Sequence, residues 1–151
     1  MAAANLGLAD GGAAIMIVSA LCVVMNFSKH QPTPIPTVFV VDDEALLLEL
    51  AETILTPLGC KVRTFTDPET ALREFPAAAP AVVLTDYAMG RMSGMDLIRE
   101  CRRINPRQKT ILVSGTVDGE VFAGAAVKPD EFVAKPYDVN KLVDMVRKMI
   151  S

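Results

Sequence analysis

Asp42-Asp43-Glu44, Asp86, Ser114 and Lys135-Pro136 each close a short apolar run, and together they are the residues here that could do chemistry. Two or three Asp side chains forced together repel, which raises a pKa or demands a cation. Magnesium, for which manganese could substitute, meets that demand because it prefers hard oxygen ligands in octahedral geometry and keeps several waters. Asp42, Asp43 and Asp86 would supply its protein charge. The ion would in turn bridge an incoming phosphoryl group, and an Asp carboxylate could attack it to form an acyl phosphate. Such a transfer is mostly positioning and charge stabilisation. Ser114 offers a short hydroxyl donor to a phosphoryl oxygen, and Lys135 a compact charge on a flexible stem.

Taken singly, each residue has a plainer reading. Asp42 or Asp43 could cap the following helix, Asp86 could be a turn residue, Ser114 a helix cap and Lys135 a solvated amine. What is specific is their joint occurrence at four strand ends in this chain order.

The elements that must position them follow from pattern. Val38–Val41, Ala81–Leu84 and Thr110–Val113 are continuous and apolar, as strands buried on both faces must be. Lys61–Phe65 alternates, which suits an edge strand, and Phe132–Ala134 makes a short fifth. Between them, Leu47, Ala51, Leu55 and Leu58 form one helical stripe. Leu97, Ile98, Cys101 and Ile104 form a second, and Val139, Leu142, Val143, Val146 and Ile150 a third. A short helix after Asp67-Pro68 is expected to end before Pro76. Strand and helix alternating in this way imply right-handed crossovers and an α/β fold, a doubly wound parallel sheet with helices on both faces. Ligands of such sheets bind beyond the carboxyl ends of the strands, where the polar residues sit.

Apolar residues make up 51% of the 151, so a sizeable core can be buried in one domain. A formal charge of −3, with no basic run interleaved with aromatics, argues against nucleic acid as a direct ligand. Cys22, Cys60 and Cys101 form no CxxC pair and His30 is the single histidine, too few ligands for zinc. Cys60 and Cys101 read as small apolar residues of a reducing cytosol.

Residues 1–36 differ from the rest. Asp10 is the one charge before an apolar run over Ala13–Met25, which is shorter than the roughly 20 residues of a membrane span. A secretory signal would carry Lys or Arg before that run. A weak membrane anchor, a packing or partner helix, and a leader preceding a true start at Met25 or Met16 are the competing readings; the last is favoured over an anchor, and a cytoplasmic protein is expected. Pro32, Pro34 and Pro36 make residues 31–37 an extended linker. The domain is expected over 37–151.

Val40-Val-Asp-Asp-Glu44, Leu84-Thr-Asp-Tyr-Ala-Met89 with Gly94, Val113-Ser-Gly115 and Lys135-Pro-Tyr137 resemble the receiver family of two-component response regulators, of which CheY-like proteins are members. The resemblance covers about 37–151. It implies a five-stranded flavodoxin-like sheet of order 2-1-3-4-5. It implies that Asp86 accepts a phosphoryl group from a histidine kinase or histidine phosphotransfer protein. It also implies that Asp42, Asp43, Asp86 and the backbone carbonyl of Ala88 hold magnesium. Ser114 would move toward the phosphoryl group, Lys135 would pair with it, the Lys135-Pro136 bond would be cis, and Phe132 would be the switch aromatic. Phe132 reads equally as a plain core residue.

The sequence departs from the family at Gly90, where Pro is usual and glycine should loosen the loop. It also places Ala88 two residues after Asp86. Gly119, Gly124 and Pro129 suggest a short or frayed fourth helix within Thr116–Glu131. The leading reading is a stand-alone phospho-acceptor module, not an enzyme, which signals through an unknown output partner. The alternatives are a phosphate-independent scaffold, or a magnesium-dependent phosphohydrolase with an Asp nucleophile. The phosphohydrolase would want a second Asp where Ala88 stands.

Overall fold

The computed structural model describes residues 33–116, 122 and 124–151, with the folded unit at Ile35–Ser151. The readings of the leader, of Met16 and Met25 as starts, and of Cys22 and His30 lie outside the described residues. Five strands, β1 (Thr37–Val41), β2 (Lys61–Phe65), β3 (Val82–Asp86), β4 (Lys109–Ser114) and β5 (Glu131–Ala134), form one parallel sheet of order β2-β1-β3-β4-β5. The four α-helices among the described residues are α1 (Ala45–Leu55), α2 (Pro68–Ala78), α3 (Gly94–Ile104) and α4 (Val139–Ile150).

Alternation along the inner strands divides the core in two. Val38, Val40, Val82, Leu84, Ile111 and Val113 face α1 and α4, where they meet Leu48, Ala51, Leu55, Leu142 and Val146. Phe39, Val41 and Val83 point the other way, to Ala71 and Phe75 of α2 and Leu97 and Cys101 of α3. A side-chain period of two makes both faces of a central strand apolar, hence the unbroken runs. The exposed edge strand β2 carries Arg63, whose guanidinium lies 5.5 Å from the ring centres of both Phe39 and Phe65 and pairs with Glu74. Cys60 and Cys101 are buried free thiols, and burial pushes the Cys101 thiol up to about 12, as suits an inert core residue.

Two local expectations change. Of three successive leucines in α1, Leu48 is the buried one, Leu47 is half-buried and Leu46 is exposed. And α2 runs through Pro76 to Ala78 instead of stopping before it. So near the end of a helix, proline forfeits a single backbone bond. The helix stops at Ala79, which takes a left-handed conformation with φ 42°. The expected fourth helix between β4 and β5 falls largely on 117–121 and 123, outside the described residues, and 124–130 form turns and bends. No helix of the described residues is long and apolar enough to cross a membrane.

Candidate functional site

Register brings the first two groups together. β1 and β3 are adjacent, with Val41 opposite Thr85. Asp42, just past β1, and Asp86, the last residue of β3, are therefore lateral neighbours at the carboxyl edge of the sheet. Lys135 comes from two strands away. It follows β5, where Ala134 pairs with Ser114 and the Lys135 N–H donates to the Ser114 carbonyl (2.8 Å). Its stem passes beside Gly115, and its Nζ lies 2.8 Å from Asp86 Oδ1 and 3.4 Å from Asp42 Oδ2.

Each carboxylate spends its second oxygen on backbone. Asp42 Oδ1 accepts from the Glu44 N–H and Asp86 Oδ2 from the Ala88 N–H, both at 2.9 Å. Asp42 makes an Asx turn and does not cap the helix: Glu44 is the N-cap of α1, and no side chain caps it. Both carboxylates are buried, at 7% and 8% exposure. Burial raises the Asp42 pKa, and the Asp86 charge adds to that, against the pull of the Glu44 N–H and Lys135. Burial alone would lower the Lys135 pKa, but its bond to Asp86 and the two negative charges outweigh it and hold the ammonium above its usual value. The result is a half-buried cation shared by two buried anions, and removing it would leave both carboxylates uncompensated.

The other expected residues fall as follows. Ser114 is buried, and its Oγ accepts from the Thr116 N–H at 3.2 Å. Asp43 is exposed beside Asp42, and Ala88 is exposed in the loop after β3. The Lys135-Pro136 peptide is cis. Phe132 is half-buried, against Met95, Ile98, Leu112 and Phe122, with its ring centre 6.1 Å from that of Phe122. Tyr87 lies 6.0 Å from Phe122 in turn, completing an aromatic row. Among the described residues, no three carboxylate, imidazole or thiol groups gather closely enough to hold an ion; the buried carboxylates number two, with Asp43 outside. That donor set fits magnesium, which commonly takes one or two carboxylates and completes its shell with waters and phosphate oxygens.

Three features escape a reading of spacing. Gly94 opens α3 so close to β3 that a Cβ there would lie 2.1 Å from the Asp86 carbonyl oxygen. Its place in the motif could be seen, but its reason could not. Gly90 has φ 83°, which proline, confined near −65°, cannot adopt; the loop takes a different path and is not merely loosened. Tyr137 lines the cleft that holds Asp42, Asp86 and Lys135.

The family model described as the response regulator receiver domain matches residues 38–147. The probable transcriptional regulatory protein TcrX of Mycobacterium tuberculosis is 30% identical over 83% of this chain and 53% of its own length. The chain thus spans about half the length of the transcriptional regulators it matches. Chemotaxis protein CheY of Thermotoga maritima is 28% identical over 74% of this chain and 95% of its own. The structure of response regulator protein TrrA from Thermotoga maritima, solved in complex with Mg(2+)-BeF, is 27% identical with TM-score 0.68, over 76% of this chain and 99% of that one. A five-stranded sheet of order 2-1-3-4-5, with Lys135 bridging two aspartates at its carboxyl edge, therefore belongs to a member of the response regulator receiver family of two-component signal transduction.

Proposed function

We propose that the unit over 37–151 is a receiver that takes a phosphoryl group onto Asp86 from a phosphohistidine donor, a histidine kinase or histidine phosphotransfer protein, in the cytoplasm. The observation that carries this reading is the Lys135 ammonium 2.8 Å from Asp86 Oδ1 and shared with Asp42. Asp42, Asp86 and the Ala88 carbonyl would hold a magnesium ion, with Asp43, exposed beside them, as a further carboxylate acting through one of the ion's waters. When bound, that ion offsets the charge gathering on phosphoryl oxygens beside the carboxylates. Asp86 Oδ1 attacks phosphorus, an O–P bond forms as the N–P bond of the donor breaks, and the imidazole leaves with the electron pair and takes up a proton. The bond from the Ala88 N–H fixes the Asp86 carboxylate plane, so the nucleophile is oriented before the donor arrives. Lys135 follows the charge as it moves from carboxylate to phosphoryl oxygens, and the Ser114 hydroxyl donates to one of those oxygens. Phe132 reports the Ser114 shift to the surface, and a partner reads that surface or receives the phosphoryl group in relay.

The test is incubation with acetyl phosphate and magnesium followed by a phosphate-affinity gel, alongside Asp86→Ala. A retarded band in the parent protein that Asp86→Ala lacks is the expected result. Equal mobility of the two proteins would favour a phosphate-independent scaffold instead.

A further inference from the structure

The strand that delivers Lys135 is the least secured of the five. β5 has four residues, pairs with β4 alone, and buries only Phe132 and Val133 in part. Strand register is strongly specified only where a face is well buried, and a slip of one residue turns every side chain over. Such a slip would set Ala134 or Pro136 where Lys135 stands. What pins the strand lies at its other end. The Asp130 N–H donates to the Thr110 carbonyl (3.1 Å), and Asp130 Oδ2 accepts from the Thr110 N–H (2.6 Å) and hydroxyl (3.2 Å). Neither neighbour could replace Asp130: Pro129 has no N–H and no carboxylate, and Glu131 carries its carboxylate a methylene farther out.

Arg102 of α3 locks this exchange. Its Nη2 donates to Asp130 Oδ2 (2.9 Å) and Thr110 Oγ1 (3.2 Å), its Nε to the Gln108 carbonyl (3.4 Å) and its Nη1 to the Lys128 carbonyl. Thr110 is fully buried and Gln108 is 2% exposed, so the inner ends of this network are out of water, while Asp130 and Lys128 face solvent and Arg102 spans the two. One guanidinium thus grips the start of β4 and the chain entering β5. We infer that Arg102 and Asp130 are positioning residues that set the register of β5 and, through it, the place of Lys135 Nζ. The inference rests on the reading of Lys135 as the cation that acts at Asp86.

The test compares Arg102→Ala, Arg102→Lys and Asp130→Asn with Phe75→Leu, a core change on α2 in a cluster that holds no β4 or β5 side chain, each at equal global stability. NMR follows exchange of the Lys135 amide and the side-chain nitrogen resonance of Lys135, neither of which needs phosphorylation. In Arg102→Ala the amide is expected to exchange about tenfold faster than in Phe75→Leu, the worth of one charged hydrogen bond, and the nitrogen resonance to move. Arg102→Lys should recover part of both, and Asp130→Asn, which keeps the shape without the charge, should show the same pair of changes to a smaller extent. An unmoved Lys135 resonance and parent-like exchange in Arg102→Ala or Asp130→Asn overturn the inference. Absence of Asp86 labelling in the parent, with the resonance still shifted in the variants, overturns the phosphoryl-transfer reading and leaves the pinning of β5 standing.

Discussion

Gly94→Ala is expected to destabilise the domain and disturb Asp86 together, and the geometry says by how much. The new Cβ would meet the Asp86 carbonyl oxygen at 2.1 Å, the Asp86 carbonyl carbon at 3.0 Å and Leu112 Cδ1 at 2.8 Å. Leu112 can turn aside, but the carbonyl belongs to the last residue of a central strand. Either α3 or the end of β3 must retreat by about 1 Å, an overpacking change that costs about 1–3 kcal/mol. The helix-propensity gain of alanine offsets little of this at the first helical position. Tm should fall by roughly 5–15 °C for a domain of this size. Two neighbouring glycines supply the controls. A Cβ at Gly115 meets Lys135 Cβ at an ordinary 3.6 Å, so Gly115→Ala should stay within about 0.5 kcal/mol of the parent. Gly90 has open space around it but φ 83°, so Gly90→Ala should cost about 1 kcal/mol through backbone conformation alone. Urea unfolding of the three variants ranks them, and acetyl-phosphate labelling of Asp86 shows whether the site has moved. A Gly94→Ala protein as stable as Gly115→Ala would refute the steric reasoning.

Three further outcomes can be measured on the same footing. Ala79→Gly, at the left-handed end of α2, should stabilise the domain by about 0.5–1 kcal/mol by removing the Cβ from a conformation that favours glycine; a lower urea midpoint would contradict it. The hydrogen bond from the Ser93 hydroxyl, with help from Arg99 and the Ser93 N–H, holds the Asp96 pKa below its usual 3.8. The stability Asp96 confers is therefore complete above that value and lost as pH falls through the folded pKa. Because the Asp96 carboxylate is partly exposed and screened, Asp96→Asn should lose only about 0.5 kcal/mol near neutrality and flatten the acid limb of a stability–pH curve. Lys135 has the opposite sign: its folded pKa lies above the usual 10.5, so its contribution is complete below that value and declines as pH rises past it. Lys135→Met should remove that alkaline decline, and an unchanged alkaline limb in thermal melts would show that the Asp42–Lys135–Asp86 contact is not formed in solution.

Much of this architecture is legible in the residues because burial on two faces leaves no polar position to break a run. Val38–Val41 and Ala81–Leu84 announce central strands for that reason, and Lys61–Phe65 announces an edge. The site is legible as a set of strand ends. Periodicity is less use where neighbours are alike: Leu46, Leu47 and Leu48 differ in burial but not in type. Pro76 misleads because its penalty depends on how much helix follows it. Contacts between distant segments leave no local trace. Nothing near Arg102 marks Asp130 as its partner, and nothing near Gly94 points to the Asp86 carbonyl.

The sharing of one ammonium by two backbone-braced aspartates has a consequence for how any other cation could arrive. The pocket already holds one counterion, but a single ammonium only half offsets two carboxylates, so an incoming cation meets a shallower negative well and not a filled one. Its attraction there is that of the residual charge, which is smaller than that of bare carboxylates. A well made shallow in this way favours a cation held loosely enough to come and go beside the lysine.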